Sequence, residues 1–242
     1  MKTGSQGASG GAAVKLADWL RARMPASARR GIRLLTDPLS GPFGSLRSVR
    51  TAQPAVALTF DDGPDPLHTP RILDELGKFG AKATWFVLLD QAEANPALVR
   101  RILSEGHEIG LHGIDHRRLT QLPRGALREH IREGVSRLQA LTGVPVRYFR
   151  PPYGAQNLAT FIAARRLGLE VVVWSADCDD WSQHPPERIA GKAIAQATPG
   201  AVLLLHDTLA ADPLDPMALP DLDRAIIVKF VLDGLGSRGL NS

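Results

Sequence analysis

From residue 54 onward, short apolar runs alternate with amphipathic stretches of helical period. The apolar runs predict six strands, at residues 55–60, 82–88, 107–111, 146–149, 169–175 and 201–205. The amphipathic stretches predict helices near residues 69–79, 95–105, 124–141, 157–167, 186–197 and 221–233. Strands separated by helices pair in parallel, so the pattern predicts one α/β domain with a barrel-like (β/α) architecture rather than two domains.

The two ends of the chain differ from this regular middle. Residues 1–53 are predicted to form a flexible basic leader with one short helix near residues 14–25, and residues 54–242 form the main domain. After the last predicted helix the chain has room for only a stub of a closing strand. We therefore expect the final strand to be short or missing.

Charge and composition exclude several classes of function. Residues 1–50 carry nine Lys or Arg and two acidic residues, whereas the whole chain has a formal net charge of only +4. The main domain is therefore slightly acidic, which argues against nucleic-acid binding. The single Cys178 excludes a disulfide framework and a cysteine-rich zinc site. The sequence contains neither a 20-residue apolar stretch nor an uninterrupted signal segment. By sequence a cytoplasmic location is expected, and export by another route or a misassigned start stay open as alternatives.

Reactive polar side chains follow the predicted strands. They are Asp61 and Asp62 after the first strand, His112 and His116 after the third, Arg150 after the fourth, Asp177, Asp179 and Asp180 after the fifth, and His206 and Asp207 after the sixth. The carboxyl ends of parallel strands meet on one face of a barrel, where active sites form. The sequence therefore predicts one site that collects these groups.

The spacing of His112 and His116 can present two imidazoles to one metal ion. Together with Asp62 they would give a set of three ligands that leaves coordination positions open for water. Such a spacing taken alone also occurs in surface loops. The Asp61–Asp62 pair could likewise belong to an exposed turn, but Thr59 and Phe60 place it at the end of a strand. A cation would offset the repulsion between the two carboxylates and leave Asp61 free to act as a base.

Five segments in this order resemble the motifs of the polysaccharide deacetylase (NodB-homology) family of carbohydrate esterases. They are TFDDGP at 59–64, HGIDH at 112–116, RPPYG at 150–154, DCDDW at 177–181 and LLLHD at 203–207. The resemblance covers about residues 54–235. It implies a deformed (β/α) barrel and a hydrolase that removes N-acetyl or O-acetyl groups from an amino-sugar polymer or oligosaccharide.

The resemblance also implies a role for each matching residue. Asp62, His112 and His116 would hold one divalent metal ion, which is zinc or else cobalt, nickel or manganese. Asp61 would be the general base, held by Arg150. His206 would be the general acid, oriented by Asp180. The backbone N–H of Tyr153 would stabilise the oxyanion, and Pro151, Trp181 and Leu204 would contact the substrate.

Gly113 departs from the family pattern, which usually has a hydroxyl residue after the first metal histidine. This departure puts the rigidity of the loop in doubt but leaves the ligand set unchanged. Trp181 and Leu204 also have a plain structural interpretation, since a tryptophan and a strand leucine are more often core residues.

Three alternatives for function remain open at this stage. The first is a deacetylase for a carbohydrate that contains N-acetylglucosamine, with peptidoglycan, chitin oligomers and xylan esters all compatible. The second is a deacylase or amide hydrolase for a small non-polymer substrate. The third is a carbohydrate-binding pseudoenzyme, which would be expected to lack at least one catalytic group.

Overall fold

A computed structural model describes residues 44–210 and 222–242; the predicted leader helix lies outside these ranges. In chain order the strands and α-helices are β1 (Ala57–Asp61), α1 (Thr69–Phe79), β2 (Ala83–Leu88), α2 (Leu89–Ala94), α3 (Pro96–Ser104), β3 (Glu108–Gly113), α4 (Arg124–Thr142), β4 (Tyr148–Phe149), α5 (Leu158–Arg166), β5 (Glu170–Val171), β6 (Ala176–Asp177), α6 (Pro186–Gln196), β7 (Val202–His206) and α7 (Arg224–Ser237). Short 3₁₀ turns lie at Leu119–Gln121 and Pro152–Gly154.

Within the described residues, the seven strands form one parallel sheet in the order β5-β4-β3-β2-β1-β7-β6. The sheet curls into a half-barrel with helices around it, which confirms the predicted α/β class and barrel type. β1 lies in the middle of the sheet between β2 and β7. Its carboxyl end is therefore flanked by strand ends on both sides.

The prediction of one continuous strand over 169–175 is wrong. The structure has two short strands there, β5 and β6, separated by residues 172–175. The backbone carbonyls of Val172 and Val173 accept hydrogen bonds from the Arg150 side chain, at 3.4 and 3.2 Å. The chain leaves the sheet ladder at this point because these carbonyls face a buried guanidinium. The short helix α2 was also not predicted.

The core is formed where β1 and β2 pack under the helices. Phe60 and Trp85 are buried and stack with their ring centroids 4.6 Å apart. A smaller apolar group of Phe86, Val172 and Val202 lies apart from this core, with Trp174 half-buried against it. Trp85 therefore belongs to the core, whereas Trp174 is only partly covered.

The segment before residue 54 contacts the sheet. The backbone of Leu46 bridges to Val172, and that of Ser48 bridges to Ala201 beside β7. The predicted boundary at residue 54 thus falls inside a region that already packs on the domain. Among the described segments, no helix is both long and apolar enough to cross a membrane.

The chain returns to β1 after α7. Asn241 forms a single parallel bridge with Ala55, and its N–H donates to the carbonyl of Pro54 at 2.7 Å. Among the described residues, only this isolated bridge and no strand follows α7, in keeping with the expectation that the final strand is short or missing.

Candidate active site

The carboxyl ends of the central strands bring the predicted polar groups together. Asp61 is the last residue of β1 and pairs in register with His206, the last residue of β7. His112 lies near the end of β3, and Arg150 directly follows β4. The site therefore lies where the barrel topology predicts it.

Asp61 and Asp62 end β1 with a change of backbone conformation. Asp62 has φ +80°, a left-handed value that few residues other than glycine adopt. Both side chains are buried. Because the backbone turns here, two adjacent carboxylates can point into the same cavity, although neighbours in a strand normally face opposite sides.

Three side chains converge as a metal-binding set. The Nε2 atoms of His112 and His116 each lie 3.3 Å from Oδ1 of Asp62. All three ligand atoms lie within 4.8 Å of one another. Oδ1 of Asp62 is buried and has no hydrogen-bond partner within the described residues, whereas Oδ2 accepts from the N–H of Ala210 at 2.9 Å. A buried carboxylate oxygen without a donor, facing two imidazole nitrogens, fits a bound cation.

The protonation of these groups suits metal binding. Burial raises the pKa of Asp62, but the close approach of His112 and the charges of the nearby histidines outweigh it and hold the pKa well below its ordinary value. Burial lowers the pKa of His116 to about 4, so its imidazole is neutral at pH 7. Nδ1 of His112 lies 2.8 Å from the carbonyl oxygen of Arg150, which directs the lone pair of Nε2 toward Asp62.

The turn from His112 to His116 is braced from outside. Gly113 has φ +126°, and a Cβ atom there would lie 2.8 Å from the carbonyl oxygen of Asp115. The N–H of Ile114 donates to Nε2 of the buried His130 on α4, at 3.1 Å. This backbone requires glycine at 113, and His130 supplies a brace for the loop that the departure from the family pattern had put in doubt.

Arg150 holds Asp61. Its Nη1 atom donates to Oδ1 of Asp61 at 2.6 Å and to Oγ1 of Thr59 at 2.8 Å. The guanidinium carbon lies 4.1 Å from the ring centroid of Phe86. Burial lowers the pKa of Arg150, and the charge of Asp61 opposes that effect. Arg150 and Asp61 therefore form a buried ion pair. The other carboxylate oxygen of Asp61, Oδ2, lies 3.8 Å from Nε2 of His112.

His206 and Asp180 form a second pair at the carboxyl end of β7. Nδ1 of His206 lies 2.8 Å from Oδ1 of Asp180, and the N–H of His206 donates to Oδ2 at 2.7 Å. Burial lowers the pKa of His206, but the charge and hydrogen bond of Asp180 dominate and raise it to about 9. His206 is therefore a cation at neutral pH and can donate a proton.

The other predicted contacts lie around this centre. The ring of Tyr153 lies 4.2 Å from that of His116, and Tyr153 has φ +62°. Trp181 is 37% exposed and meets the His206 ring edge to face at 5.7 Å. Leu204 is buried two residues before His206 on β7, so both face the inside of the curled sheet. Pro151 is buried in the turn before Tyr153.

Of the three aspartates predicted after the strand at 169–175, two do not contact the His206 side chain or the metal-binding set in any hydrogen bond or ion pair described here. Asp177 forms an ion pair with Lys192, and Asp179 lies 2.9 Å from the same ammonium group. Asp180 alone of the three turns toward His206. The aspartate and the histidine that form this pair are those that the motifs predicted.

A model of the polysaccharide deacetylase family matches residues 48–172, slightly more than half of the chain. The chain belongs to the polysaccharide deacetylase family. This match and the fold confirm the resemblance that the five motifs predicted.

Curated relatives in this family share more than a third of their aligned residues with the chain. The peptidoglycan-N-acetylglucosamine deacetylase PgdA of Listeria monocytogenes is 40% identical over 152 residues, which are 63% of this chain and 32% of that protein. This chain therefore aligns with only about a third of the Listeria protein. A chitooligosaccharide deacetylase of Sinorhizobium fredii is 36% identical over 165 residues, 68% of this chain and 77% of that protein.

Solved structures of polysaccharide deacetylases have the same architecture. The peptidoglycan N-acetylglucosamine deacetylase Bc1960 superposes with a TM-score of 0.73 at 30% identity, covering 83% of this chain and 90% of its own. A family 4 carbohydrate esterase from Streptomyces lividans, solved with acetate, gives 0.68 at 29% identity over 78% of this chain and 91% of its own. A family 4 pseudoenzyme from Bacillus anthracis shares the fold at 22% identity, with a TM-score of 0.70 over 80% of this chain and 64% of its own.

Sequence reasoning missed three residues that support this site. Thr59 and His130 contact Arg150 and the 112–116 turn, as described above. Arg224, the first residue of α7, donates from Nη1 to the carbonyl of His206 at 3.0 Å and to Oδ2 of Asp180 at 3.3 Å. Thr59 lies inside a motif and could have been found there. The other two lie on helices far along the chain, and no local pattern marks them.

Proposed function

We propose that this member of the family is a metal-dependent hydrolase that removes the N-acetyl group from N-acetylglucosamine units of a carbohydrate polymer or oligosaccharide. The observation that carries the proposal is the convergence of Asp62, His112 and His116, with a held carboxylate and a protonated histidine nearby. The activities after which the Listeria and Sinorhizobium relatives are named support the substrate class.

The residues fit a single divalent cation, and zinc suits a set of two imidazoles and one carboxylate best. Asp62, His112 and His116 would hold it, since Oδ1 of Asp62 otherwise lacks a partner among the described residues. When bound, such an ion lowers the pKa of a water molecule and polarises the acyl oxygen.

Asp61 is the proposed general base. Its Oδ1 is occupied by Arg150, while its Oδ2 lies 3.8 Å from Nε2 of His112, beside the metal ligands. A carboxylate held in this way accepts the proton of the attacking water as the new C–O bond forms. Arg150 keeps the carboxylate oriented through a charge-assisted hydrogen bond.

His206 is the proposed general acid. The amide nitrogen must receive a proton as the C–N bond breaks, because an amine anion is a very poor leaving group. Asp180 keeps His206 protonated and fixes its orientation through Nδ1. The products are acetate and a free amino sugar, and the proton taken up at Asp61 balances the one given by His206.

Tyr153 and the apolar residues complete the proposal. Tyr153 has a left-handed backbone conformation, and its ring lies 4.2 Å from that of His116. Its backbone N–H would stabilise the oxyanion. One such donor is typically worth roughly 3 kcal/mol. Trp181, Leu204 and Pro151 would enclose the acetyl methyl group and the sugar.

The test is acetate release from N-acetylglucosamine oligomers by the purified chain, with added zinc and with chelator, and then by Asp61→Asn. We expect turnover with zinc, loss with chelator, and a decrease of about 10²- to 10⁴-fold for Asp61→Asn. Asp74→Asn is the control, since that exposed carboxylate on α1 pairs with Arg101. Unchanged turnover with chelator or in Asp61→Asn would reject the mechanism.

A substrate panel separates the alternatives. Acetate release from small acylated compounds but not from glycans would favour the small-molecule hydrolase. Glycan binding without acetate release at full metal occupancy would favour the pseudoenzyme. The presence of Asp61, His206 and all three metal-binding residues at one site argues against the latter.

A further inference from the structure

We propose that Arg224 is a positioning residue for deacetylation: it holds Asp180 and the backbone of His206 so that the His206 imidazolium is aimed at the leaving nitrogen. The proposal rests on the proposed function, since it assigns a support to its general acid. Arg224 lies in none of the five motifs and belongs to α7, a helix remote in sequence from Asp180.

Two hydrogen bonds from one nitrogen carry the inference. Nη1 of Arg224 lies 3.0 Å from the carbonyl oxygen of His206 and 3.3 Å from Oδ2 of Asp180. The side chain is buried, with 4% exposed. One guanidinium therefore contacts both members of the acid pair at points that leave the imidazole ring itself free.

Helix stability does not explain an arginine at this position. A cation in the first turn of a helix is repelled by the positive end of the helix dipole. The end is already capped by Asp223, whose carboxylate accepts from the N–H of Ile226 at 3.3 Å. Burial of a charge adds a further cost unless a partner compensates it. The compensating partner is Asp180, which lies at the active site.

With Arg224 in place, both oxygens of Asp180 are engaged. Oδ1 faces Nδ1 of His206, while Oδ2 accepts from the His206 N–H and from Arg224. Because both oxygens of Asp180 are fixed, the carboxylate also fixes the plane of the His206 imidazole. A carboxylate held by a single hydrogen bond could rotate, and the imidazole could rotate with it. The Asp180–His206 pair is thus tied to α7 as well as to its own strands.

Arg224 also acts on the charge of the pair. The charged and titratable groups around His206 are Asp180 before α6, Asp61 and Asp62 on and after β1, His116 after β3, its neighbour Asp207, and Arg224 on α7. The carboxylates favour the imidazolium, whereas the guanidinium opposes it. Removal of Arg224 should therefore make the His206 imidazolium a weaker acid and also leave its orientation less fixed.

The experiment compares two leaving groups in wild type, Arg224→Gln and Arg224→Lys. N-acetylglucosamine oligomers release an amine that needs a proton, whereas 4-nitrophenyl acetate releases a phenolate that does not. For Arg224→Gln we expect kcat on the oligomer to fall about 10- to 100-fold, while hydrolysis of the aryl ester stays within about threefold. The basic limb of the pH profile on the oligomer should move to higher pH, and Arg224→Lys should recover part of the rate.

The control is Arg71→Gln, because Arg71 pairs with Asp223 next to Arg224 but does not contact Asp180. Arg71→Gln should leave the rate of hydrolysis of both substrates unchanged. Equal losses on both substrates, or an unchanged rate on the oligomer, would overturn the inference. If Arg224→Gln does not fold, Arg224→Lys takes its place, and selective loss on the amide again supports the inference while equal loss rejects it. Wild-type protein that releases no acetate from the oligomer would instead reject the proposed function itself.

Discussion

Nη1 of Arg150 lies 2.6 Å from Oδ1 of Asp61, and both side chains are almost completely removed from solvent. A buried ion pair of this kind contributes little net stability, because desolvation of both charges offsets their attraction. The pair instead orients the Asp61 carboxylate, because Arg150 fixes Oδ1 and leaves Oδ2 available to a reacting group. The pair therefore belongs to the chemistry of the site more than to the stability of the core.

The first prediction concerns the loss of this partner. Arg150→Met keeps much of the side-chain volume but leaves Asp61 buried without a cation, so we expect the free energy of unfolding to fall by about 3–5 kcal/mol. Deacetylation should fall with it, because Asp61 is no longer held. Urea unfolding and acetate release measure the two effects.

Arg132→Met is the matched control for that change. Arg132 pairs with Glu129 on the exposed face of α4, where solvent screens the interaction. We expect no change in stability beyond the error of the fit. A similar loss in both variants would show that the Arg150 pair has no special role.

The sequence predicted the site better than it predicted the sheet around it. Asp61, His112 and His206 follow apolar runs, and parallel pairing alone brings such strand ends together. The break between β5 and β6 could not be predicted, because it depends on Arg150 reaching the carbonyls of Val172 and Val173. That contact joins residues about twenty positions apart in sequence and leaves no local pattern.

Arg224 shows the same limit at the site. Its sequence neighbours predict only a helix start, and a helix start by itself gives no reason to expect contact with Asp180. The contact arises because α7, which packs against α6 and α1, brings its first residue beside the end of β7. Long-range supports of this kind become visible only when the strands and helices are assembled.

The second prediction concerns Gly113, where the backbone has φ +126°. An alanine would be strained there, and its Cβ would lie 2.8 Å from the carbonyl oxygen of Asp115. We expect Gly113→Ala to lower metal affinity about 10- to 100-fold, since the turn that carries His116 must shift. Zinc titration with a competing chelator measures the change.

Gly125→Ala is the control for the second prediction. Gly125 lies in α4, and a Cβ there would have no atom within 4 Å. Metal affinity should be unchanged, and stability should be equal or higher, because alanine favours helix over glycine by up to about 1 kcal/mol. Unaltered zinc binding in Gly113→Ala would contradict the strained-turn argument.

The third prediction concerns the ion itself. We expect one zinc ion per chain, a higher melting temperature with zinc than with chelator, and a loss of affinity of more than about 100-fold in Asp62→Asn. The amide keeps the shape of the side chain but removes the charge that faces His112 and His116. Isothermal titration and metal analysis test this. Stoichiometric zinc in Asp62→Asn at wild-type affinity would place the ion elsewhere.

The last prediction concerns the pH dependence of stability through His206. Its pKa is raised from 6.5 to about 9 in the folded chain by Asp180. A group whose pKa is raised on folding stabilises the protein fully below its unfolded pKa, and this contribution is lost as the pH rises through the folded value. The difference in unfolding free energy between wild type and His206→Gln should therefore be largest below about pH 6.5 and shrink toward about pH 9. Urea unfolding of the zinc-free proteins at several pH values measures it. A difference that stays constant across this range would mean that Asp180 does not hold the proton on His206, and the assignment of His206 as the general acid would lose its physical basis.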